Sequence, residues 1–416
     1  GTVTGVQTCA LPISSNPMIK QLKRIGLCII LVSLGWSQNQ DFYVLMISMD
    51  GFRADYLDRT DTPNFDKLAN DGVKAKSLKP IFVSKTFPNH YSLATGMYAE
   101  NHGLIGNSFY APDLGEHYSI RDRSKVEDGR FYGGEPIWMT AENQGLKAAS
   151  FYWVGSEAKG QRPSIWKRYD QKVTFEARVD SVMKWFLLPD QDRPRLIMLY
   201  FHEPDWTGHG EGPKSSNTLK KVQEMDAVLG SILKKAAQLP IADKLNIIVT
   251  SDHGMAEVSE EKMLDISKLA DLTNVQVEGS GPKMFISSDS EKELNSVYSK
   301  LQTIPHMQVF YKKDIPDRWH YRDHVRIPDI LVVADEGWWI KPLGRNSYPK
   351  GDHGYDNELK SMHAIFVADG PAFKDGYLRE TFANIHVYPL VAHILGLTPY
   401  DGIDGNLDAV RDLLRE

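Results

Sequence analysis

Cysteine is nearly absent: the 416 residues contain two, Cys9 and Cys28. Beyond residue 28 there can be no disulfide, no thiol nucleophile and no thiolate metal site, so any zinc must be held by His and carboxylate side chains. An excess of one charge is lacking too. Lys+Arg total 48 against 54 Asp+Glu, a net charge of −6, with no long basic run. That balance argues against stable nucleic-acid binding by phosphate neutralisation. Small anionic substrates stay open, because a bound metal ion can dominate the local field. No internal repeat or low-complexity tract breaks residues 42–416. At 42% hydrophobic residues the chain is also too apolar for a disordered protein.

The beginning of the chain reads differently from the rest. Residues 1–17 lack apolar periodicity and resemble non-native, adapter-like sequence. Met18 opens a basic stretch (Lys20, Lys23, Arg24), followed by the apolar run IGLCIILVSL at 25–34. A basic start and about ten apolar residues describe a secretory signal peptide over 18–38; a membrane span needs roughly twenty. The expectation is an exported protein, periplasmic or secreted, without a membrane span, whose working domain is 39–416.

From residue 42, near-continuous apolar runs alternate with amphipathic helical patterns. YVLMISMD (43–50), RLIMLYFHEPD (195–205), LNIIVTSDHG (245–254), DILVVADE (329–336) and HAIFVADG (363–370) suit strands covered on both faces. Thr62-Pro63 reads as a helix cap followed by proline at the first position, with Gly72 as the stop. Leu219, Val222, Leu229, Ile232 and Leu233 share one helix face, on which Asp226 is off-pattern. The expected fold class is α/β: a mostly parallel central sheet with helices on both faces and a small inserted subregion around 285–350.

Several of these strands end in an acid. Asp50 closes the first, Asp205 follows the second and Asp252-His253 closes the third. Functional groups in a parallel α/β sheet gather at the carboxyl ends of the strands, so acids from distant parts of the chain can converge there. His209 lies four residues after Asp205, with Gly208 and Gly210 expected to supply a tight backbone. His353 sits in the glycine-flanked segment GDHGYDN. Together these residues supply two sets of His/carboxylate ligands, the composition of a two-zinc site without cysteine. In SKTFPNHYSLATG (84–96), Pro88 suits a first helical turn and Gly96 a helix end. Thr86 is then expected just before a helix N-terminus, where free N–H groups favour a phosphate. Metal coordination would make its hydroxyl an effective nucleophile.

These segments, with YVLMISMDGFRADYL, the TPNFDKLANDG to LIGN stretch, EPDWTGHGEGP and VTSDHGM, resemble the nucleotide pyrophosphatase/phosphodiesterase family of the alkaline phosphatase superfamily. The likeness covers nearly all of 42–416, with the motifs in the family's order. It implies an alkaline-phosphatase-like fold with two Zn2+ ions. One would be held by Asp205, His209 and His353, the other by Asp50, Asp252, His253 and the Thr86 oxygen. It further implies that Asn107 donates to a phosphate oxygen and that Phe87 and Tyr169 sandwich a nucleobase. The implied activity is hydrolysis of nucleotide phosphodiesters and pyrophosphates to nucleoside monophosphates through a phosphothreonine. Three alternatives stand beside it. They are a phosphate monoesterase, with Lys159 and Arg162 as the extra basic residues, a lipid-head-group diesterase, and a catalytically dead ligand-binding protein.

Overall fold

The computed structural model describes residues 1–2, 41–341 and 347–415. The leader expected at 1–17, apart from its first two residues, and the signal peptide at 18–38 lie outside the described residues. Within the compact unit Phe42–Glu416, the central sheet has eight strands: β1 (Tyr43–Met49), β2 (Val73–Ala75), β3 (Ala148–Phe151), β4 (Ile165–Lys167), β5 (Leu196–Phe201), β6 (Leu245–Thr250), β7 (Phe366–Asp369) and β8 (Tyr377–Arg379). Their order across the sheet is β8-β2-β7-β6-β1-β5-β3-β4. β7 runs antiparallel to both its neighbours, and the other pairings are parallel. The mostly parallel sheet is as expected, with HAIFVADG supplying the one reversed strand.

The apolar runs are continuous because both faces of the sheet are covered. Along β1, Val44 and Met46 join the core on one face, while Tyr43, Leu45, Ile47 and Met49 join the core on the other. The flanking helices are α1 (Pro63–Asp71), α2 (Thr86–Thr95), α3 (Phe175–Phe186), α4 (Asp205–Glu211), α5 (Ser216–Ala236) and α6 (Val387–Ile394). Helices α2 and α6 pack into the first core; α1, α3 and α5 pack into the second.

Asp226, off-pattern in the sequence, is buried on α5 and caps α1. Its carboxylate accepts from Asn64 N (3.0 Å), Asn64 Nδ2 (2.8 Å) and Phe65 N (2.9 Å). The cap expected of Thr62 is therefore made by an acid from another helix, and the Thr62 side chain makes no capping bond. A buried carboxylate satisfies more of the free N–H groups than one hydroxyl can.

DILVVADE is not part of the central sheet. Ile330–Ala334 belongs to a separate four-stranded antiparallel sheet with Gln276–Ser280, Lys283–Ser287 and Met307–Tyr311. Leu331 and Val333 face the main core, whereas Ile330 and Val332 pack with Val297 and Leu301 of the helix Glu291–Leu301. Burial on both sides produced the same unbroken apolar run that a parallel central strand shows.

Candidate active site

Strands β5, β1 and β6 are immediate neighbours, and neighbouring strands lie only about 4.8 Å apart. Acids just past their carboxyl ends must therefore crowd together. Asp50 follows β1 directly, Asp252 comes two residues after β6, and Asp205 opens α4 shortly after β5. Gly51 permits the crowding: its φ is +66°, and a Cβ there would lie 2.7 Å from Asp205 Cβ.

The ligand atoms form two triads, Asp205/His209/His353 and Asp50/Asp252/His253, each with its members within 4.8 Å of one another. Asp205 and His209 come together through helical i,i+4 spacing on α4, and His209 Nε2 lies 3.5 Å from Asp205 Oδ2. The expected glycine-enabled tight backbone at 208 and 210 is absent, since neither glycine has positive φ. Gly208 supplies space instead: a Cβ there would come 3.1 Å from Met255 Cε. Gly254 likewise has no positive φ, and its want of a Cβ lets the chain pass against Ser361 O. His353 follows Gly351–Asp352, which pairs antiparallel with Ala256–Glu257 just beyond His253. The two imidazoles consequently stack, with centroids 3.5 Å apart.

All three histidines are oriented by the backbone. His209 Nδ1 donates to Gly351 O (2.7 Å), His253 Nδ1 to Gly254 O (2.8 Å) and His353 Nδ1 to Ser84 O (2.8 Å). Each bond leaves Nε2 as the lone-pair nitrogen facing the triads, the arrangement of metal-ligating histidine. The carboxylates show the complementary pattern. Asp50 Oδ1, Asp205 Oδ1 and Asp252 Oδ2 are buried without a hydrogen-bond partner. Their other oxygens are engaged where the fold allows: Tyr200 donates to Asp50 Oδ2 at 2.6 Å, and Gly51 N and Ser251 Oγ donate to Asp252 Oδ1, each at 3.2 Å. One buried, orphaned oxygen on each of three acids fits divalent cations better than any protein donor present.

Electrostatics points the same way. Burial, and then the Asp252 and Asp205 charges, push the Asp50 carboxyl well above the usual carboxylate range. Burial alone would raise Asp252 as well, but the His253 and His90 rings outweigh it and hold that carboxyl well below. His353 is kept well below the ordinary imidazole value by burial and by the His253 and Lys85 charges. Against burial, the Asp252 charge raises the His253 ring above its ordinary value, so the crowded acids draw positive charge toward them, as a divalent metal would supply.

Thr86 is the first residue of α2 rather than the residue before it. Its Oγ1 lies 3.1 Å from His253 Nε2, beside the Asp50/Asp252/His253 triad. Asn107 Oδ1 accepts from Phe87 N at 3.0 Å, so the amide NH2 is the group Asn107 has left to offer. Thr86, Phe87, Asn107 and Tyr169 all line one cavity of about 550 Å3, together with Asp50, Asp205, His209 and His353. The structure thus brings every expected site residue to one place.

The sequence profile of the family described as type I phosphodiesterase / nucleotide pyrophosphatase matches residues 44–356. A venom phosphodiesterase of Naja atra is 39% identical over 383 residues, covering 88% of this chain and 46% of its own length. The bis(5'-adenosyl)-triphosphatase enpp4 of Mus musculus is 38% identical over 378 residues, covering 89% of this chain and 81% of the relative. The chain belongs to the type I phosphodiesterase / nucleotide pyrophosphatase family. It spans about half the length of the venom phosphodiesterases it matches. An inactive threonine-to-alanine variant of murine ectonucleotide pyrophosphatase/phosphodiesterase 5, solved in complex with AMP, superposes with a TM-score of 0.86. It is 35% identical and covers 90% of this chain and all of that one. The central sheet flanked by helices is accordingly the family's alkaline-phosphatase-like fold.

For this family member, the basic residues considered for a monoesterase do not reach the cavity. Lys159 is exposed, and Arg162 lies over Trp166 and donates to Glu157 O. The arginines that do line the cavity are Arg121 and Arg123, and Arg123 is paired with the buried Glu157. Sequence reasoning also passed over Tyr200 and His90. His90 is buried behind Thr86, with Nδ1 2.9 Å from Thr86 O and Nε2 2.8 Å from Ser48 Oγ. Its position one turn after Thr86 on α2 was the available signal. Tyr200 sits inside an unbroken apolar strand, where nothing in the pattern marks it. Among the described residues no helix is long and apolar enough to cross a membrane.

Proposed function

We propose that this protein hydrolyses nucleotide phosphodiesters and pyrophosphates, releasing nucleoside monophosphates through a phosphothreonine on Thr86. The observation carrying this reading is the placement of the Thr86 hydroxyl against one of two His/carboxylate triads in a cavity that also holds Phe87, Asn107 and Tyr169. Asp205, His209 and His353 would hold one divalent cation, and Asp50, Asp252 and His253 the other. Nitrogen and oxygen donors without thiolate suit zinc. When bound, the cations supply positive charge for the phosphate oxygens and lower the pKa of hydroxyl and water.

The chain's own groups then divide the work. The Thr86 hydroxyl releases its proton to solvent and Oγ forms a bond to phosphorus, while the bond from phosphorus to the leaving oxygen breaks and its electron pair stays on that oxygen. Water next attacks the phosphothreonine, the Thr86–phosphorus bond breaks, and the nucleoside monophosphate departs. The Asn107 NH2, held in orientation by Phe87 N–H, donates to a phosphate oxygen where charge develops. Phe87 and Tyr169 take the nucleobase between their rings; the Tyr169 backbone is fixed by its N–H bond to Glu157 Oε1 (3.1 Å). Residues 39–416 are proposed as the catalytic unit of an exported protein, the export resting on the basic-then-apolar stretch at 18–38.

The test is Thr86→Ala in residues 39–416 supplied with zinc, assayed beside the unaltered protein on a nitrophenyl nucleotide diester and on nitrophenyl phosphate. The unaltered enzyme is expected to prefer the diester, and the variant to lose turnover while retaining two zinc ions per chain. Substantial activity in the variant would remove Thr86 as nucleophile. A monoester preference would move the function to a phosphatase.

A further inference from the structure

Trp206 has 56% of its surface exposed, and no other tryptophan among the described residues is classed as exposed. It nevertheless stands on the wall of the substrate cavity, next in sequence to the triad residue Asp205. A large apolar ring left open beside a polar site is the unusual observation, since tryptophan is highly buried on average.

The ring has a firm backing. Asp205 N donates to Asp50 O (2.9 Å) and Trp206 N to His202 O (3.4 Å), which ties this start of α4 to the ends of β1 and β5. The indole lies 5.7 Å from the His202 ring, also on the cavity wall, and that ring packs at 5.0 Å on Phe175. Behind them the buried Arg178 guanidinium bonds Tyr200 O at 2.9 Å.

Sidedness follows from the proposed reaction. Thr86 Oγ1 lies against His253, so the attacking oxygen belongs with the Asp50/Asp252/His253 triad. In an in-line displacement the leaving oxygen departs opposite the attacking one, toward the Asp205/His209/His353 triad. Phe87, bonded to Thr86, stands on the attacking side. Trp206 follows Asp205 of the other triad in the chain and lines the same cavity. The cavity therefore has one ring next in the chain to the attacking residue and another next to a residue of the triad that receives the leaving oxygen.

We infer that Trp206 is the platform on which the leaving group's own ring stacks, so that diesters carrying a second nucleoside are the preferred substrate class. This inference rests on the diesterase reading above and extends it to the half of the substrate that departs. Base–aromatic stacking on a protein ring predicts a loss on the order of ten- to thirtyfold when the ring is removed.

The experiment compares kcat/KM for diadenosine triphosphate and for ATP, which share the retained adenylate and differ in whether the leaving group bears a base. It uses the zinc-loaded full chain, Trp206→Ala and Trp206→Phe. The readout is the ratio of the two values within each enzyme, so a general loss of activity cancels. The ratio should fall about ten- to thirtyfold in Trp206→Ala, mainly through KM for diadenosine triphosphate, and Trp206→Phe should restore most of it. An unchanged ratio in Trp206→Ala, or an equal fall in Trp206→Phe, overturns the platform while leaving the diesterase reading intact. Failure of the unaltered enzyme on both substrates overturns the diesterase reading, and the platform with it.

Discussion

Removing one hydroxyl from Tyr200 should weaken metal binding without touching a ligand. Tyr200 donates to Asp50 Oδ2 at 2.6 Å in a buried setting, while Asp50 Oδ1 has no protein partner. The bond therefore decides which oxygen is free and where it points. A hydrogen bond to a charged buried group contributes about 1.5–3 kcal/mol, and outer partners of metal ligands typically affect affinity about 10- to 100-fold. The two figures agree, because about 1.4 kcal/mol is a factor of ten. Tyr200→Phe keeps the ring and its packing, so the loss is confined to that bond. A second consequence has a definite sign. Burial and the neighbouring acids raise the Asp50 pKa, and the Tyr200 bond lowers it. Without the hydroxyl the proton competes better for Asp50, and the pH at which zinc binding is half lost moves upward. Zinc affinity by chelator competition across pH should show a 10- to 100-fold weakening near neutrality, with activity recovering at saturating zinc. A variant whose zinc affinity and pH profile match the unaltered protein would refute the assigned role of Tyr200.

Asp226→Ala should destabilise the fold by about 2–4 kcal/mol, combining a lost cap with buried donors left unmatched. Urea unfolding would reveal this as a lower midpoint, with Asp226→Asn falling in between. His102 is buried, with Nδ1 accepting from Leu104 N (3.1 Å) and Nε2 3.0 Å from Ser92 Oγ; burial and then the His324 charge push it down to about 3. Its unfolded pKa is near 6.5, so the unfolded state takes up the proton first. Its contribution is therefore intact above pH 6.5 and is lost as pH falls toward 3, at up to about 1.4 kcal/mol per pH unit. Stability measured from pH 7 to 4 should fall more shallowly in His102→Gln, and an unchanged slope would contradict the neutral buried ring. Gly51→Ala places a Cβ against Asp205 and forces a strained φ; zinc content per folded chain should drop below two.

The parts of this molecule legible in its sequence are those where one residue type has a single plausible use. Acids at the ends of apolar strands, with His209 and His253 at short spacing from them, marked the site because burial there requires a counter-charge, whereas the division into two ligand sets came from the family resemblance. The misplacements share a cause in features set by distant partners. Ile330–Ala334 has the apolar run of a central strand, yet its edge partners are Lys283–Ser287 and Met307–Tyr311, and its two faces are covered by the main core and by the helix Glu291–Leu301. Thr62 reads as a cap because the sequence cannot reveal that Asp226 arrives from α5 to take the same N–H groups. Gly208 and Gly210 suggest a tight turn in the sequence, but Gly208, like Gly254, serves by lacking volume, against Met255 and Ser361 respectively. Tyr200 and Trp206 escaped notice because a tyrosine in a strand and a tryptophan beside a motif are ordinary until the cavity is seen.

The central position of β1 also bears on how the protein is made. β1 leaves the ribosome before its neighbours β5 and β6, which begin about 150 and 200 residues later. At synthesis rates of about 5–20 residues per second, that is a wait of roughly 10–40 s. Through that interval the segment YVLMISM has no partner on either edge, and it is apolar on both faces. An unpaired apolar strand of this kind is exposed to aggregation, and the two triads are not complete until His253 and His353 have been made. The site comes into being only when the middle of the sheet closes, so metal loading has to wait for β5, β1 and β6 to come together.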